Sequence, residues 1–208
     1  MNRLGRALLL AAAATLAADV AAAADPAPPP AISPAAVAPD GSRVVSLTVR
    51  PGGRHLVLLV HSAAMDKDIR VHVQWPADTG APRPTLYLLN GLDAGLTDLS
   101  WESKTDVLRF LADKDVNLVE PLGGRGSYYT DWRAPDPYLK VDKWRTFLTA
   151  ELPPVIDAQL RTNRVNAIAG MSMSGTSVLQ LAEYKPGLYK SVASYSGCAQ
   201  TSDPLGQA

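Results

Sequence analysis

Four short strand-like runs recur along this chain, the first of them continuously apolar: "TLYLLN" (Thr85 to Asn90), "VNLVEP" (Val116 to Pro121), "VNAIAG" (Val165 to Gly170) and "SVASYSG" (Ser191 to Gly197). A strand that is apolar on both sides of its pleat has to be covered on both faces, which happens in sheets flanked by helices. Between the runs lie stretches with helical spacing. "TDVLRFLADK" (Thr105 to Lys114) sets Val107, Leu108 and Leu111 on one face, and "GTSVLQLAEYK" follows the third run. Around "VDKWRTFLTAELPPVIDAQL" a longer helix is predicted, with a kink or change of helix at Pro153 and Pro154. Strands alternating with helices of about 10 to 15 residues predict right-handed βαβ units and an α/β fold built on a central, mainly parallel sheet.

Upstream, "VVSLTVR", "HLVLLVHS" and "DIRVHVQW" read as three strands, the first two joined by the turn signal "PGG". They predict an antiparallel lead-in to the sheet. At 208 residues the chain suits one domain with a substantial core. Its 20 basic and 20 acidic residues cancel, so charge gives no reason to expect nucleic acid or an anionic membrane as a partner.

The first residues, "MNRLGRALLLAAAATLAADVAAAAD", carry Arg3 and Arg6, an apolar run from Ala7 to about Ala17, and small residues ending in Ala22 and Ala24. That order predicts a signal peptide over residues 1–24, cleaved before Asp25, and therefore an exported, extracellular or cell-envelope protein. The apolar run is shorter than the roughly 20 residues a transmembrane helix needs, so no transmembrane segment is expected. Residues 25–41 are rich in Pro and Ala and predict an extended linker, with the folded part beginning near Ser42. Export implies an oxidising compartment, yet Cys198 is the single cysteine, either a buried free thiol or one whose partner lies outside the 208 residues.

In "AIAGMSMSGTS" a strand runs into a helix with Ser172 on the turn between. Such a turn lifts a serine hydroxyl above the sheet and aims a helix N-terminus at a developing oxyanion. Ser174 stands where the pattern G-x-S-x-G has its second glycine, and the alternative reading is a serine that merely caps the helix. The oxyanion would take the N–H of Met173 and a second N–H from the turn after an earlier strand, which "LNGLD" offers at Leu92. A nucleophilic serine also needs a histidine oriented by a carboxylate, in the order Ser, acid, His. His55, His61 and His72 all precede Ser172, and of the later acids Glu183 sits in mid-helix and Asp203 near the end. The sequence therefore predicts that acid and base lie beyond Ala208. Trp101, Trp132, Trp144 and "GSYYTDW" are read as core and loop anchors rather than sugar-stacking groups, and "GGRG" as a flexible loop at the mouth of a cleft.

These motifs, with "SAAMDKDIRVHVQ", "LVEPLGGRGSYYTDW", "KWRTFLTAELP" and "AGMSMSGTSVLQLAEYKPGLYKSVASYSG", resemble the antigen 85 type of mycolyltransferase from about Ser62 to Asp203. The resemblance implies the α/β-hydrolase fold, with residues 42–208 as its N-terminal part and the C-terminal strands missing. It implies a secreted serine acyltransferase moving mycolyl groups between trehalose monomycolates or onto cell-wall arabinogalactan, without a cofactor or metal. Ser172 matches the family nucleophile, and Leu92 and Met173 its oxyanion donors. Asn90, Asp93 and Gln200 fall at sugar-contacting positions, though the family's Asp-Gly-Leu-Arg is Asn90-Gly91-Leu92-Asp93 here and its aspartate is Gln200. Fibronectin or glycan binding by a catalytically incomplete chain, and a plain carboxylesterase, are the other functions that the resemblance and fold leave open.

Overall fold

The computed structural model describes residues 33, 35–51, 54–138 and 140–199, so the expected signal peptide, most of the expected linker and Gln200 lie outside the described residues. Seven strands form one sheet: β1 (Arg43–Val49), β2 (His55–Ser62), β3 (Lys67–Gln74), β4 (Thr85–Leu89), β5 (Asn117–Pro121), β6 (Asn166–Met171) and β7 (Tyr189–Tyr195). Their spatial order is β1-β2-β3-β5-β4-β6-β7. All seven coincide with runs read from the sequence. The sheet is mixed. β5, β4, β6 and β7 are parallel, while β1, β2 and β3 are antiparallel to one another and β3 meets β5 antiparallel.

The two halves carry different burial patterns for a physical reason. β2 alternates strictly, with Leu56, Leu58 and Val60 fully buried and their neighbours half-buried, as a strand with one covered face does. All five residues of β5 are buried, as a strand covered on both faces requires. The larger core joins Leu56, Leu58, Val71, Val73, Tyr87 and Ile168 of the sheet to Trp144, Phe147, Leu152, Ile156, Val178 and Leu181 of the helices. The opposite face is a smaller cluster of Leu88, Leu118 and Ala169, covered by Trp101, Val107, Leu108 and Leu111.

Two helical expectations change. The predicted helix 105–114 is a single turn, α2 (Val107–Phe110), preceded by another, α1 (Trp101–Lys104). Thr105 is extended between them, its Oγ1 donating to the Trp101 carbonyl at 2.6 Å and accepting from Val107 N at 3.2 Å, and this local bonding replaces the helical ladder. In the longer helix, α3 (Trp144–Thr146) passes into a π-helical turn, Phe147–Glu151, before α4 (Leu152–Leu160) begins with Pro153 and Pro154 in its first turn. Prolines lack an N–H to donate and are tolerated in a first turn, so widening the preceding turn keeps the segment continuous. The last helix is α5 (Met173–Tyr184).

The folded part starts before Ser42. Ala36 and Ala38 belong to the larger core, Val37 bridges to Arg43, and Ser33 N donates to Gln159 Oε1 at 3.0 Å. Small apolar residues in the Pro/Ala-rich stretch fit against the core without a regular element. At the other border β7 is an edge of the described sheet, with Val192 and Tyr195 exposed.

Candidate active site

Strand order reverses at β4. The chain leaves β4 toward β5 on one side, with α1 and α2 on one face, and β6 leads to β7 on the other side through α5 on the opposite face. In open parallel sheets the crevice beyond the carboxyl ends of strands, at such a reversal, is where ligands bind. The residues at these ends are Asn90 after β4 and Ser172 after β6. The two segments touch, since a methyl group placed on Gly91 would lie 3.6 Å from Ser172 Cβ.

Ser172 is exposed and has φ 54°, ψ −118°, a conformation that ordinary L-residues avoid. Its N–H donates to the Tyr195 carbonyl at 2.8 Å and its carbonyl accepts from Gly175 N at 3.0 Å, so the neighbouring strand end pins the turn. Among the described residues its hydroxyl has no hydrogen-bond partner and does not cap the helix. Met173, next in sequence, is the first residue of α5 and buried, with its N–H among those a helix start leaves without an intrahelical acceptor. Ser174 differs entirely. It is fully buried, its Oγ lying 2.7 Å from the Leu89 carbonyl and 3.1 Å from that of Met171 while accepting from Met171 N at 2.9 Å. The serine in the place of the second glycine is thus a strut between the ends of β4 and β6.

The glycines around it are required by packing. A Cβ on Gly170 would lie 2.4 Å from the Ser174 carbonyl oxygen, and one on Gly175 would lie 2.7 Å from that of Tyr195 and 2.8 Å from Gly197 N. α5 and the end of β7 therefore meet backbone to backbone.

The segment after β4 is clamped from several directions. The Leu92 carbonyl accepts from Gly126 N at 3.1 Å and the Ala94 carbonyl from Gly123 N at 2.9 Å. Leu92, Leu96 and Leu99 expose their side chains, each by more than half. Asp93 is turned into the loop, where its Oδ2 accepts from Thr97 N and Oγ1, both at 2.8 Å. These bonds, with Arg125 nearby, hold its carboxyl below the ordinary range. Asn90 departs from the expectation of a sugar contact. It has no exposed surface, and its carboxamide bonds to Glu120 and to the Trp101 N–H, so it faces into the protein. The "GGRG" loop is also not free. Gly123 and Gly124 have φ of +120° and +82° and pack on the Trp144 indole, where a methyl group would come within 3.1 Å and 2.7 Å. The aromatics act as anchors: Trp144 is buried between Tyr129 and Phe147, while the indole N–H groups of Trp101 and Trp132 donate to the carbonyls of Leu89 and Ser127.

No histidine of the described residues belongs to this end of the sheet's parallel half. His55 and His61 are on β2 and His72 on β3, four and three strands from β6. At the spacing of neighbouring strands that is about 19 Å and about 14 Å, beyond hydrogen-bonding reach of Ser172. His61 instead pairs with Asp68 at 3.0 Å.

One potential metal-ligating group occurs among the described residues, His72, Glu102 and Glu120. Arg50 already supplies its cation, pairing with Glu102 and contacting the His72 ring, and His72 Nδ1 lies 2.8 Å from Glu102 Oε2. The donor set is that of an ion-pair network.

The Esterase family model matches residues 62–207. The chain belongs to the esterase family. Among its relatives are the Mycobacterium leprae protein named diacylglycerol acyltransferase/mycolyltransferase Ag85A, 34% identical over 85% of this chain and 54% of that one. The Ag85B protein of the same organism is 33% identical over 97% of this chain and 57% of its own length. Of solved structures, Mycobacterium tuberculosis MPT51 superposes with a TM-score of 0.61 at 30% identity, covering 76% of this chain and 55% of that one. An S-formylglutathione hydrolase from Agrobacterium tumefaciens also superposes with a TM-score of 0.61, at 22% identity over 73% of this chain and 61% of that one, a likeness of fold. This esterase-family chain therefore has the α/β-hydrolase architecture expected of it. It spans little more than half the length of the curated relatives it matches.

Proposed function

We propose that this chain carries the nucleophile of an exported serine acyltransferase that acts on mycolyl esters of trehalose. The observation that carries the reading is Ser172, exposed on a strained turn between β6 and α5 with the Gly91 segment against it. In this reading the Ser172 hydroxyl attacks the ester carbonyl and the N–H groups of Leu92 and Met173 receive the oxyanion. The tetrahedral intermediate collapses with loss of the sugar alcohol, and a second hydroxyl takes the acyl group from Ser172. Each proton transfer calls for a histidine, which the described residues do not bring to Ser172. The mycolyltransferase names of the relatives and the exposed leucines at 92, 96 and 99 support a long apolar acyl group. Asp93, beside the exposed Leu92, is the candidate for contact with an acceptor hydroxyl, and Gln200 is a second. Residues 1–24 support export.

The test gives the protein expressed from its whole reading frame trehalose monomycolate, with and without free trehalose. Trehalose dimycolate is expected, and is lost in Ser172→Ala. Release of free fatty acid alone would replace the transferase reading with a hydrolase. The 208-residue chain by itself is expected to turn over p-nitrophenyl butyrate at or near the background rate; rapid turnover abolished by Ser172→Ala would mean that an unrecognised base acts within it.

A further inference from the structure

Glu120 is a carboxylate on a strand whose every residue is buried, itself 2% exposed. A charge in such a place persists when its surroundings use and compensate it. Its Oε1 accepts from Asn90 Nδ2 and from the Trp101 N–H, each at 3.0 Å, and the Asn90 Oδ1 accepts from the same Trp101 N–H at 3.0 Å. Asn90 is the residue from which the chain turns into Gly91 and Leu92. Gly95, at φ +70°, closes over its carboxamide so tightly that a methyl group there would stand 2.6 Å from Nδ2.

Behind Glu120 the network continues away from the site. His72 is its cross-strand partner on β3 and bonds Glu102, which Arg50 pairs. Burial, and then the Arg50 charge, hold His72 below its ordinary pKa, and Arg50 is the cation that pairs Glu102. Burial raises the Glu120 carboxyl, against which the bonds from Asn90 and the Trp101 N–H act.

We infer that Glu120 is a positioning residue for the oxyanion segment, holding Asn90 and the Trp101 amide so that the backbone at 91–92 keeps a fixed place beside Ser172. The inference rests on the proposed role of Leu92 but makes a separate structural claim. Asn90 accordingly acts through the backbone that follows it, and acceptor specificity has to be carried by other groups.

The experiment compares Glu120→Gln, which keeps an acceptor oxygen, with Glu120→Met, which keeps the volume and loses it. Amide hydrogen exchange of the segment 90–96 is measured on the 208-residue chain at a temperature where both variants remain folded. In Glu120→Met exchange is expected to rise at least about tenfold, and in Glu120→Gln to stay within about threefold of the parent. Should Glu120→Met not fold, Asn90→Ser, which shortens the other partner, is expected to give the same local rise. Unchanged exchange in Glu120→Met, or in Asn90→Ser, overturns the inference whatever the activity. In the whole-frame enzyme, Glu120→Met is expected to lower kcat for acylation about 100-fold with KM nearly unchanged, with Glu120→Gln restoring most of it. A rise confined to KM would instead mean substrate contact and overturn positioning. Failure of Ser172→Ala to abolish acylation, with the exchange result intact, would sink the nucleophile reading and leave the structural claim standing.

Discussion

Replacing Ser174 by glycine would restore the common G-x-S-x-G pattern around Ser172, and the structure predicts that this "repair" damages the protein. Ser174 Oγ can donate one hydrogen bond, best to the Leu89 carbonyl at 2.7 Å, and it accepts one from Met171 N at 2.9 Å. Each intramolecular bond of this kind contributes about 1 kcal/mol, and Ser174 is fully buried, so water does not readily replace the hydroxyl. Losing both is worth about 2 kcal/mol, and glycine in the first turn of α5 adds roughly 0.5 kcal/mol of backbone entropy. Ser174→Ala should therefore cost about 2 kcal/mol and Ser174→Gly about 2.5 kcal/mol. For a chain of this size that lowers Tm by about 4–8 °C and about 5–10 °C respectively. Urea unfolding followed by tryptophan fluorescence gives the free energies, and differential scanning calorimetry the midpoints. If Ser174→Gly proves as stable as the parent, the hydroxyl is only a tolerated space-filler and the strut between β4 and β6 is not what holds the serine turn.

Other outcomes follow from the same geometry. Gly175→Ala drives a methyl group against the backbone of Tyr195 and Gly197 and should cost about 3 kcal/mol, whereas Gly41→Ala, with open space around it but φ +93°, should cost about 1 kcal/mol; equal Tm losses would contradict the packing argument. His72 is held below its ordinary pKa of 6.5, so as pH falls below 6.5 the unfolded chain takes up the proton first and stability is lost; the urea midpoint should drop between pH 7 and 5, and less so in His72→Gln. Glu151 is buried beside Asp40 and its carboxyl is raised by burial, so its contribution runs the other way, complete below the unfolded value near 4.5 and lost as pH rises through the folded pKa. Glu151→Gln should flatten that branch, and an unchanged pH profile would clear Glu151 of the effect.

The strands were legible because each is a run of apolar or alternating residues long enough to outvote its surroundings, and β2 and β3 show the alternation plainly. What escaped was decided by single side chains. Thr105 ends a helix by bonding its own neighbours, and Ala36 and Ala38 pack on the core from a stretch that composition alone marks as a linker. Ser172 was legible as the residue on the turn, but the strut role of Ser174 was not, because its Oγ meets Leu89, 85 positions earlier. Asn90 was expected at a sugar contact, whereas in the fold Glu120 accepts from its amide. A signal for that was present: a glutamate inside "VNLVEP", a run otherwise fit only for a doubly covered strand, had to have a partner.

The bonds that hold the serine turn have a consequence for how the chain acquires its shape. Ser172 N donates to the Tyr195 carbonyl, and Ser174 ties in Leu89, so the positive φ at Ser172 is supported by contacts that close long loops. Strain of this kind costs about 1–3 kcal/mol and persists only when the surroundings impose it. We expect the turn to be set late, after β7 has docked, because long loop closures come late in folding. A nascent chain still held before Tyr195 would carry a relaxed, helix-like Ser172, which pulsed hydrogen exchange on stalled chains can detect as an unprotected 170–175 segment. The exposed serine would then reach its strained conformation only as the last described strand joins the sheet, so the geometry of the turn reports on the docking of β7.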